Sequence, residues 1–72
     1  MKVTKNDVGR QCLVKYIDVG RTEGMIVGFQ SDGKFKSVSV YTFSDSNIDN
    51  CVELDQIVEL GKYIEPEINL DF

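Results

Sequence analysis

Apolar residues recur at every second position, in short runs, along almost the whole chain. That period belongs to the pleated β-strand, whose successive side chains point to opposite faces. CLVKY sets Cys12, Val14 and Tyr16 against Leu13, Lys15 and Ile17. EGMIVGF sets Met25, Val27 and Phe29 against Ile26, and Gly28 inside the run predicts a bulge or a sharp bend. KSVSVYTF puts Val38, Val40 and Thr42 on one face and Ser37, Ser39, Tyr41 and Phe43 on the other. CVEL and VEL read as two further short strands.

The segments between these runs carry turn chemistry. TKND fits a capping box with Asp in place of Glu: Thr4 caps, Asp7 reaches back, and Gly9 ends a single helical turn. DVGRTEG reads as a loop containing Gly20 and Gly24. SDGK is a hairpin turn with Asp32-Gly33 at its centre. SDSNIDN is a polar loop, DQI a single 3₁₀ turn, and Gly61 closes the fifth strand.

At 72 residues the chain makes one domain, near the lower limit for a self-sufficient core. A core of this size supplies about 3–5 kcal/mol of net stability. No window approaches the length of apolar sequence that spans a bilayer, and MKVTKNDVG lacks the apolar core of a signal peptide. A cytoplasmic setting is expected, with no membrane partner. Cys12 and Cys51 are then expected as reduced thiols serving as small apolar residues, with a disulfide between them as the lesser alternative.

The chain has no histidine, which removes the usual base for nucleophilic catalysis. Two cysteines without histidine cannot assemble a zinc site. The acids Asp45, Asp49, Glu53 and Asp55 lack the spacing and glycine of a calcium loop. The expectation is a protein that is not an enzyme and takes neither cofactor nor metal.

Charge is unevenly distributed. Residues 1–44 hold seven Lys/Arg against four acids, whereas residues 45–72 hold eight acids against Lys62 alone. The net charge is −4. An acidic end repels phosphate and attracts basic surfaces. Lys15, Arg21, Lys34 and Lys36 do interleave with Tyr16, Phe29 and Tyr41, which are the materials of a single-strand platform. The overall acidity argues against nucleic acid, which stays as the alternative reading.

The ordered set VGRQCLVKY, EGMIVGF, SDGK, VSVYTF and VELDQIVEL resembles the SH3-like small barrels of the Tudor and KOW type over residues 8–60. Those barrels have a glycine before the first strand, a Gly-x-Ile at the second, a tight turn, a third strand, and a short turn before the last. The resemblance implies an all-β, five-stranded antiparallel SH3-like barrel over residues 1–62, with one short N-terminal helical turn. Residues 63–72 form an extended acidic and apolar tail, EPEINLDF at its end, that packs on the barrel or docks to a partner. An OB-like barrel is the alternative.

A small barrel with exposed edges and an acidic end suits a non-enzymatic protein–protein interaction module that meets a basic surface. By analogy it suits a small bacterial or phage accessory protein modulating a larger complex, in the host cytoplasm if phage-encoded. The candidate partner-binding residues are Tyr41 and Phe43 on the third strand and Glu67, Ile68, Leu70, Asp71 and Phe72 in the tail. Residues 67–72 also resemble the short peptides that dock on replication sliding clamps, with the pattern Gln-x-x-Leu-x-Phe. Leu70 and Phe72 match and Glu67 stands in place of the Gln, so that resemblance implies a sliding clamp as one partner option.

Overall fold

A computed structural model describes residues 2–64. The candidate residues Glu67, Ile68, Leu70, Asp71 and Phe72 lie outside them. After a 3₁₀ turn at Lys5–Asp7, five strands follow: β1 (Arg10–Tyr16), β2 (Gly20–Asp32), β3 (Phe35–Thr42), β4 (Asn47–Glu53) and β5 (Ile57–Tyr63). A second 3₁₀ turn, Leu54–Gln56, joins β4 to β5. All pairings are antiparallel, in the order β4-β3-β2-β1-β5.

This is the expected small all-β domain, with one difference. β4 and β5 sit at opposite edges and do not pair, so the barrel is not closed. The sheet nevertheless curls. Cys12 and Val14 of β1, Ile26 of β2, Val38 and Val40 of β3, Val52 of β4 and Ile57 of β5 meet Val3 in one buried cluster. Tyr16, Phe29, Leu54 and Leu60 pack against its margin. Valine and isoleucine fill most of these places because a stiff, β-branched side chain suits a pleated surface.

The capping box at Thr4 and Asp7 forms as expected. The Thr4 amide donates to Asp7 Oδ2 at 2.8 Å, and the Asn6 amide donates to Thr4 Oγ1 at 3.2 Å.

Strand boundaries differ from the sequence reading chiefly where a neighbouring strand overrides a local turn signal. DVGRTEG is not a loop: β2 begins at Gly20, and only residues 17–19 turn. Its residues pair with β1, Thr22 opposite Val14 and Gly24 opposite Cys12. Gly24 is required by packing, since a Cβ there would lie 2.5 Å from the Tyr41 carbonyl oxygen and 2.6 Å from Val40 Cγ1. SDSNIDN likewise shrinks to a turn over residues 43–46, and β4 takes Asn47 onward. β5 runs through Gly61 to Tyr63. In the β2–β3 hairpin the central residues are Gly33 and Lys34, between the paired Asp32 and Phe35. Positive φ occurs there at Gly33 alone, the pattern of a type II′ turn.

The bend predicted at Gly28 is present as a β-bulge. Ile26 pairs with Val40 and Gly28 with Ser39, leaving Val27 as the extra residue. The insertion flips parity, so Ile26 and Phe29 both reach the core although they are three positions apart. The expected sharing of one face by Met25, Val27 and Phe29 is therefore incorrect. Cys12 lies in the core, while Cys51 is exposed, and both are free thiols. No helix among the described residues is long and apolar enough to cross a membrane.

Candidate functional site

Ile17, Val19, Phe35 and Tyr63 are exposed singly at turns and strand ends, whereas the face of the sheet turned away from the core carries a contiguous group of partly exposed apolar side chains. Cross-strand register aligns Gln11 of β1, Met25 of β2, Tyr41 of β3 and Ile48 of β4 as one row. Directly opposite residues project from the same face, so these four side chains are neighbours in sequence around the sheet. Phe43 lies two residues beyond Tyr41 on that face. The two rings meet edge to face, centroids 5.9 Å apart. The Phe43 amide donates to the Glu23 carbonyl at 3.1 Å, continuing the β2–β3 ladder one step past the strand end.

Tyr41 is half-buried, Phe43 is 41% exposed and Ile48 is 49% exposed. The structure thus brings together the two described candidate residues, Tyr41 and Phe43, and adds Met25 and Ile48. In the sequence alone Ile48 reads as part of a polar loop. Its alternation with Asn47 and Asp49 was the available signal, masked by the polar residues on either side.

Around the edge of β4 the surface continues into a groove lined by Tyr16, Val19, Ile48, Asp49 and Cys51. Val19, at the β1–β2 turn, is 72% exposed. Tyr16 Oη donates to Asp49 Oδ2 at 2.9 Å across this groove. Burial, reinforced by that hydrogen bond to an anion, pushes the Tyr16 pKa up to about 12.

Electrostatically this side is acidic. Asp45, Asp49, Glu53 and Asp55 lie on β4 and its flanking turns, and no Lys or Arg occurs between residues 45 and 61. Among the described residues β4 is also an edge strand, so one side of its backbone has no partner in that sheet. Further across the outer face, Lys15 and Arg21 pair with each other, away from this edge.

A second surface feature lies beside the row. Ser39, 5% exposed, accepts from Gln30 Nε2 at 2.7 Å and donates to Asn50 Oδ1 at 3.0 Å. Ser37 donates to Gln30 Oε1 at 3.3 Å. These bonds satisfy the buried Ser39 hydroxyl and tie β2, β3 and β4 together on this face.

Among the described residues no three His, Cys, Asp or Glu side chains converge to hold a metal ion. Glu53 and Asp55 do not share a strand face, because Asp55 falls in the 3₁₀ turn. Comparisons with protein-family models, with curated proteins and with solved structures find no match for the chain.

Proposed function

We propose that this chain is a non-enzymatic protein-binding module that docks through Met25, Tyr41, Phe43 and Ile48 on its outer sheet face. The observation that carries the reading is the cross-strand row Met25–Tyr41–Ile48, closed by the Phe43 ring and left open to solvent. Aromatic side chains and methionine are the residues enriched in interface cores, and contiguous exposed apolar surface marks interaction sites. The acidic edge along β4 favours a partner with a basic rim around an apolar centre. That edge also offers unpaired backbone groups for a strand of the partner to extend the sheet.

The grouping with SH3-like barrels is part of the same proposal. It is supported by the glycine before β1, the Gly24-Met25-Ile26 step in β2, the tight β2–β3 turn and the 3₁₀ turn before β5. A cytoplasmic accessory protein, bacterial or phage-borne, that acts on a larger complex remains the setting these features suit best.

The test compares proteins retained from bacterial lysate by the wild-type chain with those retained by Phe43→Ser and Ile48→Ser variants. The reading requires a protein that the wild type retains and both variants lose while still melting within a few degrees of the wild type. Retention unchanged in both variants would move the interface elsewhere.

A further inference from the structure

On the inward-facing parity of β3, beyond the core, a second groove opens at the other side of the sheet. Its rim holds Lys2, Lys5 and Lys36, and its floor is Val3, Phe29 and Leu54. The three lysines are exposed, and no ion pair among the described residues involves them. Among the described residues no acidic side chain lines the groove. Three of the eight cations of the chain therefore surround one apolar floor, in a protein of net charge −4.

We propose that this groove is a binding site for an acidic peptide whose carboxylates alternate with apolar side chains, and that residues 65–72 of the same chain are its occupant. The segment carries Glu65, Glu67 and Asp71, three negative charges for three lysines. Its apolar residues, Ile68, Leu70 and Phe72, recur at every second position and match an apolar floor. Its starting point is fixed next to the groove wall. The Ile64 amide donates to the Gly9 carbonyl at 2.7 Å, and Tyr63 Oη donates to the Asn6 carbonyl, one residue from Lys5. Arg10 reinforces that anchor by donating to the Gly61 carbonyl at 2.8 Å and lying over the Tyr63 ring, 5.6 Å from its centroid. Eight extended residues span about 26–29 Å. That reach is sufficient in a domain whose two shorter dimensions are 28 and 19 Å. The groove is separate from the outer-face row, because Lys36 and Tyr41 stand on opposite faces of β3.

The experiment uses the full chain with a nitroxide at position 69, introduced as Asn69→Cys in a Cys51→Ser background so that the buried Cys12 is the only other thiol. Amide signals of Lys2, Lys5, Ser31, Lys36 and Leu54 should broaden selectively at low protein concentration. The broadening should fall several-fold in a Lys2→Glu/Lys5→Glu/Lys36→Glu variant, whose substitutions lie at exposed positions, and in high salt. Absence of broadening in the groove, or broadening centred on β4 instead, would overturn the proposal. Broadening that disappears on dilution would assign the groove to a second copy and overturn occupancy by the same chain. Loss of the broadening on adding stoichiometric oligothymidylate at physiological salt would assign the groove to nucleic acid instead.

Discussion

The hydroxyl of Tyr16 donates to the carboxylate of Asp49 at 2.9 Å, although β2 and β3 lie between their strands in the sheet. Two strands three places apart can meet side chain to side chain only if the sheet curls. This bond ties β1 to the β4 edge, inside the groove that Tyr16, Val19, Ile48 and Asp49 line. Removing the hydroxyl by Tyr16→Phe should cost roughly 0.5–1.5 kcal/mol, read by urea unfolding at neutral pH.

The same residue makes the domain sensitive to alkali. Burial raises Tyr16 to about 12 and Cys12 to about 11. Both groups hold their protons longer folded than unfolded, so the unfolded chain binds fewer protons above pH 9 and stability falls as pH rises. Denaturant titrations from pH 8 to pH 11 should show that decline. Tyr16→Phe should flatten its upper part, above about pH 10. A decline identical in wild type and variant would remove Tyr16 from the account.

At the acid end the relevant group is Asp7. The Thr4 backbone amide, with Arg10 at 3.0 Å, holds its carboxyl below the ordinary 3.8. A lowered pKa in the folded state contributes stability above the unfolded value, which is lost as pH falls through the folded one. Asp7→Asn should lose about 1 kcal/mol at pH 7, and that difference should shrink as pH falls below 3.8. Thermal melts of the two proteins at pH 7 and pH 3 check this.

Gly24→Ala tests the tightest contact in the sheet. The new methyl meets backbone at Tyr41 and the buried Val40 side chain, neither able to retreat. Overpacking of this kind costs about 1–3 kcal/mol, a large share of what so small a core supplies. Gly28→Ala, whose nearest neighbour would be the Gln30 side chain at 3.4 Å, should cost clearly less. Equal losses in the two variants would contradict the described β2–β3 packing.

The capping box at Thr4 and Asp7, the strand cores and the 3₁₀ turn before β5 were legible because each is encoded within a few neighbouring residues. The faces of β3 were legible too, since Val38, Val40 and Thr42 keep strict alternation and are all buried. What escaped depends on partners distant in sequence. Gly24 reads as a turn residue until Tyr41 is laid against it. Asn47 to Asn50 read as a loop until β3 supplies their pairing. Gly28 signalled the bulge, but not that Val27 would be the extra residue, and one inserted position is enough to put Phe29 on the face opposite Met25. The outer-face site was half visible, as Tyr41 and Phe43, because Met25 and Ile48 join them only through cross-strand register.

Contact between the Met25–Tyr41–Phe43–Ile48 face and a protein partner can be captured by a photo-cross-linking phenylalanine analogue placed at position 43 or, as a control, at position 35 of the chain expressed in bacterial cells. Phe35 is 83% exposed and starts β3 at the opposite end from Phe43, outside the proposed row, which makes it an accessible comparison position. A discrete adduct is expected from position 43, absent from position 35 and abolished by Ile48→Ser in the same chain. Equal adducts from both positions, or an adduct at 43 that survives Ile48→Ser undiminished, would contradict it.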